Sequence, residues 1–377
     1  MNGGSERHVS SQVGKAMDLL CDDSFEKIDS GKIMTEYHTS MMKKIGFILV
    51  CLVSMFIAAG LSLGTGQYHI DFMECYQIVW NHLTGDIDDK MLDYFVVEQR
   101  LPRIIVGVFT GAGLAACGCV MQSVMKNPLA DPYTTGISSG ASFGATMAMT
   151  MGITIGSGVY AIATNAFIFA LIPMIVIVAV SKLNNSSPVT MIMAGIAIMY
   201  IFNAVTSLMK LIADPDSLQA LYNWQVGTLA DIDSWDGVLL IAIVVIAGVV
   251  ILQFMTRTLN ILSTGDDAAK SMGLNVDSIR RIILLLITLV VATIVSFTGL
   301  IGFVGLVAPH IGRLFVGSDN RYLLPASAFF GATLLVIADL VGRNILDHGE
   351  LQVGIITSFI GGPLFLYLII RQQKSGW

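Results

Sequence analysis

Residues 132–181 read PYTTGISSGASFGATMAMTMGITIGSGVYAIATNAFIFALIPMIVIVAVS, and between Asp131 and Lys182 these fifty positions hold no Asp, Glu, Lys, Arg or His. A helix needs about 20 mostly apolar residues to cross the hydrocarbon core of a bilayer. The stretch is therefore long enough to cross twice, with a turn near Gly156-Ser157-Gly158. Inside lipid every backbone N–H and C=O must be satisfied within the segment, so these crossings are helices.

The same criterion, carried outward, marks Ile45–Leu63, Ile104–Met125, Leu183–Met209, Gly237–Thr256, Ile282–Thr298, Tyr322–Ala338 and Leu351–Ile370 as further spans, nine in all with the first two. Composition agrees: of 377 residues 54% are hydrophobic and 13% charged, against roughly 25% charged in a soluble domain. The 21 Lys+Arg against 27 Asp+Glu leave no basic surface for nucleic acid. Cys21, Cys51, Cys75, Cys117 and Cys119 are odd in number and three lie in apolar stretches, so they read as packing residues rather than a disulfide framework.

Phe303–Val316 holds Pro309, His310 and Arg313 and is short for an ordinary span. Charge asymmetry decides whether it crosses, because Lys and Arg accumulate in short cytoplasmic loops. With ten spans and the N-terminus inside, the inner side holds Lys43, Lys44, Lys126, Lys182, Arg257, Lys270, Arg280, Arg281, Arg313, Arg321, Arg371 and Lys374, and the outer side Lys90, Arg100, Arg103, Lys210 and Arg343, twelve against five. Without that crossing the ratio falls to nine against eight. The expectation is an all-α, polytopic membrane protein with ten transmembrane helices, one of them short or broken, and both termini cytoplasmic.

Residues 1–40 stand apart, with four Lys/Arg and seven Asp/Glu, and read as a disordered cytoplasmic extension, leaving 41–377 as the transmembrane domain. Met41-Met42-Lys43-Lys44 before an apolar run resembles a natural start of a membrane protein. The uncharged core that follows is too long for a cleaved signal peptide.

Four matches recur in order. Arg103-Ile104-Ile105 returns as Arg281-Ile282-Ile283, Asn127-Pro128 as Ala308-Pro309, residues 141–146 as 328–333, and Pro173 as Pro363, at offsets of 178, 181, 187 and 190. Copies that begin five spans apart enter the membrane from opposite sides, which makes an inverted repeat of the kind transporters use for alternating access. Gly136, Gly140 and Gly144 lie four apart on one helix face and permit close packing.

The chain carries no G-x-x-x-x-G-K-[ST] motif, so ATP could drive it only through a partner. Its spans also lack a relay of carboxylates such as an ion-coupled secondary transporter uses. Asp339 pairs at helical spacing with Arg343, and His69, His82, His310 and His348 are scattered rather than gathered as an enzyme would have them. The inner loop from Arg257 to Arg281 is longer than a connector needs. Ser263 or Thr264 can cap a short helix, Asp266 and Asp267 suit its N-terminal end, Lys270 its C-terminal end, and Gly273 the left-handed stop, after which Asn275 caps the next span.

These residues resemble the iron-siderophore and vitamin B12 (FecCD-type) permease family of ABC importers, the type II fold. The resemblance runs through Arg100-Leu101-Pro102-Arg103, Asn127-Pro128-Leu129-Ala130-Asp131-Pro132, Gly136-Ile137-Ser138-Ser139-Gly140-Ala141, the loop Leu262–Gly273, Gly302–Arg313, Ala338-Asp339, Val353-Gly354-Ile355 and Gly361-Gly362-Pro363. It covers roughly residues 45–371 and departs at the N-terminal extension and at Asn184-Asn185-Ser186-Ser187-Pro188, a loop that forms part of the inner gate in relatives.

The resemblance implies a plasma-membrane permease subunit that imports a metal chelate, an iron(III)-siderophore first and cobalamin, haem or molybdate as alternatives. It implies no cofactor and no resident metal. Its partners would be a second copy of the chain, two cytoplasmic ATPase subunits, an extracytoplasmic substrate-binding protein and the lipid bilayer. The loop helix with Gly265, Asp266, Asp267, Ala268, Lys270 and Gly273 would dock into the ATPase. Asn127 and Leu129 would stand at the cytoplasmic gate, and Arg100 and Arg343 would receive glutamates of the binding protein.

Overall fold

The computed structural model describes residues 30–65, 70–183, 188–232, 234–346 and 349–374. The readings of residues 1–29 and of the loop Asn184–Ser187 lie outside the described residues, as do Cys21, His69 and His348. The chain divides into two units, Met1–Ile45 and Gly46–Trp377. In the first, the described residues are helical from Ser30 onward.

Fifteen α-helices and no strand occur among the described residues. They are α1 (Ser30–Gly64), α2 (Phe72–Thr84), α3 (Lys90–Asp93), α4 (Leu101–Met125), α5 (Ile137–Met151), α6 (Ala161–Leu183), α7 (Pro188–Ile212), α8 (Pro215–Val226), α9 (Trp235–Phe254), α10 (Thr256–Ser263), α11 (Asp266–Ser271), α12 (Val276–Thr298), α13 (Val304–Val316), α14 (Asn320–Asn344) and α15 (Val353–Lys374). A π-helical turn, Tyr94–Arg100, leads into α4.

Seven helices are long and apolar enough to cross a membrane: His38–Gly64, Lys90–Met125, Gly158–Lys182, Val189–Ile212, Trp235–Phe254, Val276–Thr298 and Asn320–Asn344. The other three expected crossings fall on α5, α13 and the apolar part of α15, Val353–Tyr367. With 13 residues, α13 is about 20 Å long at 1.5 Å per residue, short of a hydrocarbon core of about 30 Å. Length alone therefore supports seven crossings, and the expected ten is not reached on that criterion.

Two irregular stretches shorten these helices. After α4, Lys126 adopts a left-handed conformation (φ 51°), the Asp131 carboxylate accepts from the Tyr133 N–H at 3.0 Å, and a 3-10 turn over Pro132–Thr135 ends at Gly136, φ 88°. Between α12 and α13 the chain turns through Gly299 and Phe303, both at φ 67°. The Tyr133 hydroxyl accepts from the Ile301 N–H at 3.3 Å and ties the two breaks together.

The hub is α4, which packs against α9, α12, α13 and α14 and buries most of its surface, including Ala115, Ala116, Cys117, Cys119 and Val120. Such contact is possible because its glycines abut backbone. A Cβ at Gly118 would meet the carbonyl of Gly305 on α13. The expected Gly136, Gly140, Gly144 face behaves alike: Gly140 and Gly144 lie against the carbonyls of Phe169 and Asn165 on α6. Cys51, Cys75, Cys117 and Cys119 are buried free thiols. Asp319, Asn260, Asn320 and Ser123 form a chain of hydrogen bonds of 2.7–2.9 Å joining α10, α14 and α4.

Candidate functional site

The loop helix α11 forms where the sequence places it, but its start differs in detail. Ser263 Oγ and Thr264 Oγ1 donate back to the carbonyls of Asn260 and Ile261 instead of capping α11. The N-cap is Gly265, at φ 132°, with no side-chain cap. A glycine fits because that backbone conformation is closed to most side chains. At the other end Gly273 takes φ 83°, and Asn275 Oδ1 accepts from the Ser278 N–H at 3.2 Å, both as expected.

Ala269 is the buried foot of α11, whereas Asp267, Lys270, Ser271 and Gly273 are exposed. Met272, which the sequence reading passed over, is 63% exposed beside them. Asp266 has a different task from the free helix-end charge expected of it. Its Oδ1 accepts from Lys126 Nζ at 2.5 Å and from Arg280 Nη2 at 2.8 Å. Partial burial alone would raise its pKa, yet the hydrogen bonds and charges of Lys126 and Arg280 outweigh this and hold the carboxyl below its ordinary value. Asp266 thus fastens α11 to the C-cap of α4 and to the first turns of α12.

Directly after Lys126, Asn127 Oδ1 accepts from the Leu129 N–H at 2.9 Å. This Asx turn presents Leu129, 49% exposed, just past the C-terminal end of α4. Asn127 directly follows Lys126, the anchor of α11, and Leu129 lies three residues after it.

At the opposite end the cations gather around Asp339. Arg103 reaches Asp339 Oδ1 with Nε and Nη2 at 3.0 and 2.8 Å and Glu350 Oε2 with Nη1 at 2.6 Å. Arg343 Nε lies 3.1 Å from Asp339 Oδ2, the pairing expected from their spacing. Its Nη2 also donates to the carbonyl and hydroxyl of Ser62, and Arg100 Nη1 donates to the Leu63 carbonyl at 2.8 Å. Arg100 and Arg343 are 9% and 7% exposed, so both guanidiniums are bound inside the chain. Arg103, which the sequence reading counted only as an outer cation, is the centre of this cluster.

The sequence reading also missed Asn203, Thr206, Ser207 and Lys210 on α7. Their spacing of three, four and seven puts them on one helix face, and that polar stripe on an apolar helix was the signal available. Among the described residues no three His, Cys, Asp or Glu are grouped to hold a metal ion.

A bundle of apolar helices, seven of them long enough to cross a membrane and others cut short by irregular breaks, defines a polytopic membrane protein. A family model, the FecCD transport family, matches residues 51–371, and the chain belongs to that family. The hemin transport system permease protein HmuU of Yersinia pestis is 34% identical, over 88% of this chain and 97% of its own. The cobalamin import system permease protein BtuC of Halobacterium salinarum is 41% identical over 72% of both chains. Among solved structures, an inward-facing ABC transporter assigned to the metal-chelate type superposes with a TM-score of 0.74 at 29% identity, over 87% of this chain and 99% of that one. The protein is a membrane permease of the ABC importer class.

Proposed function

We propose that the chain is the membrane-spanning subunit of an ATP-driven importer of metal chelates, with an iron(III)-siderophore as its first candidate cargo and haem, cobalamin or molybdate as alternatives. The observation that carries this reading is α11: a short helix with an exposed Asp267, Lys270 and Met272, strapped through Asp266 to α4 and α12. An ATPase that grips the exposed face would move the strap, and the strap begins one residue before Asn127 and three before Leu129. Force enters at α11 and leaves at the gate.

In this reading the subunit works as a homodimer with two ATPases on the cytoplasmic side and a binding protein outside. The chain crosses ten times with both termini inside, and its halves are related as an inverted repeat. Its short helices do not need a full bilayer's length, because irregular backbone at membrane depth is tolerated where it is buried in protein or lines a cavity. Arg100 and Arg343 would receive the binding protein's carboxylates, exchanging some of their bonds to Leu63 and Ser62 for bidentate pairs.

Uptake of labelled ferric siderophore, cobalamin, haem and molybdate, in cells with and without this gene, tests the reading. The expected result is gene-dependent, ATP-dependent accumulation of one chelate. Replacement of 265–273 by a flexible Gly-Ser linker should leave the permease in the membrane and abolish both ATPase co-purification and uptake. Uptake that survives the linker refutes the coupling assignment.

A further inference from the structure

On α7, Asn203, Thr206 and Lys210 face Ser138 and Ser142 of α5 and Gln225 of α8 across a cavity of about 280 Å³. Lys210 Nζ donates to Gln225 Oε1 at 2.8 Å and lies 5.2 Å from the centre of the Tyr222 ring. Gln225 Nε2 donates in turn to Ser142 Oγ at 2.6 Å. The amide is thereby held at both ends. An ammonium has three donors, and Lys210 uses one of them on Gln225, with no ion pair among the described residues.

Thr206 adds an independent sign. Its side chain is 5% exposed, and its hydroxyl has no hydrogen-bond partner among the described residues. Threonines in a helix commonly donate to the carbonyl four residues back, as Thr146 and Thr150 do on α5. Thr206 is also one of the residues that line the cavity. Among the described residues no carboxylate lines this space.

Lys210 lies two residues from the end of the span Val189–Ile212, and Thr206 and Asn203, one and two turns deeper, carry the polar face into the segment, as side chains along a substrate path do. The lining, one ammonium with amide and hydroxyl groups, suits a guest that brings negative charge and several oxygen acceptors. Its volume lies below the roughly 300–1,000 Å³ of a site for a complete drug-sized ligand, so it would receive one acidic arm of a larger molecule.

We propose that the cavity between α5, α7 and α8 is a cargo subsite selecting an anionic, oxygen-rich chelate, with Lys210 as counter-charge and Gln225, Asn203 and Thr206 as hydrogen-bonding partners. It rests on the importer reading and narrows its cargo to chelates with free carboxylate or catecholate oxygens.

The test is equilibrium retention of radiolabelled ferric citrate, which is anionic, and radiolabelled ferrichrome, which is neutral, by the full-length permease in nanodiscs. Wild type should retain ferric citrate at least tenfold more tightly than ferrichrome. Lys210→Met should erase that preference and Lys210→Arg should keep it, each compared at equal amounts of monodisperse protein. Gln225→Leu, which leaves the charge in place, should weaken citrate retention less than Lys210→Met does. Equal retention of both probes by wild type, retention of neither, or a preference that survives Lys210→Met would overturn the subsite. ATP-dependent uptake by the assembled transporter is read separately, so a failed subsite and a failed importer assignment give different patterns.

Discussion

The Asp266 carboxylate and the Lys126 ammonium meet at 2.5 Å across 140 residues of sequence. Their contact joins α11 to α4, the helix at the centre of the bundle. Arg280, 1% exposed at its side chain, shares the same carboxylate oxygen, so Asp266 holds a surface ammonium and a buried guanidinium at once.

Asp266→Asn should therefore cost about 1.5–3 kcal/mol, the range for hydrogen bonds to charged groups. It should lower transport more than it lowers the amount of folded protein. Thermal unfolding in detergent measures the first effect and uptake per folded molecule the second.

The pH dependence of this strap follows from the depressed pKa of Asp266. A carboxylate whose pKa is lower folded than unfolded contributes stability that is complete above the unfolded value, about 3.9 for Asp, and is lost as pH falls through the folded one. ATPase association should be flat in this respect from pH 5 to 8 and weaken only below about pH 4. Binding measured by surface plasmon resonance across that range checks it.

Lys270→Glu with Met272→Asp should detach the ATPase and leave the permease itself intact. Both side chains are exposed, and surface substitutions of this kind usually change stability by no more than about 0.5 kcal/mol. Co-purification lost at an unchanged unfolding midpoint is the expected pattern.

Gly118→Ala should prevent α4 from seating against α13, because the added methyl would meet the Gly305 carbonyl, which is backbone and cannot swing aside. Overpacking commonly costs about 1–3 kcal/mol. The matched control is Gly302→Ala, where nothing lies within 4 Å. A large drop in folded yield is expected for the first and a small one for the second.

Arg343→Gln separates a structural role from the proposed docking role at the Asp339 cluster. Glutamine keeps a donor for the Ser62 carbonyl but removes the charge beside Asp339, which retains Arg103. A lowered unfolding midpoint together with at least tenfold weaker binding-protein affinity is expected. A lowered midpoint at unchanged affinity would assign Arg343 to the fold alone.

The sequence by itself determined the class of the molecule and much of its local geometry. The fifty uncharged and mostly apolar residues 132–181 already read as two membrane helices, and of these Gly158–Lys182 is long and apolar enough to cross. The left-handed stop at Gly273 and the cap at Asn275 are set by one or two residues, and they appear where local chemistry puts them. The Asp339–Arg343 pair, four residues apart on one helix, was equally legible. The tertiary structure alone decided what those charges do. Arg103 reaches Asp339 over 236 residues, Asp266 reaches Lys126, and the α7 stripe becomes one wall of a cavity only because Ser142 and Gln225 arrive from α5 and α8. Helical periodicity fixes which residues share a face, but the partner of that face depends on where glycines let helices touch and where the chain breaks. Those are properties of the packed bundle, and no single segment contains them.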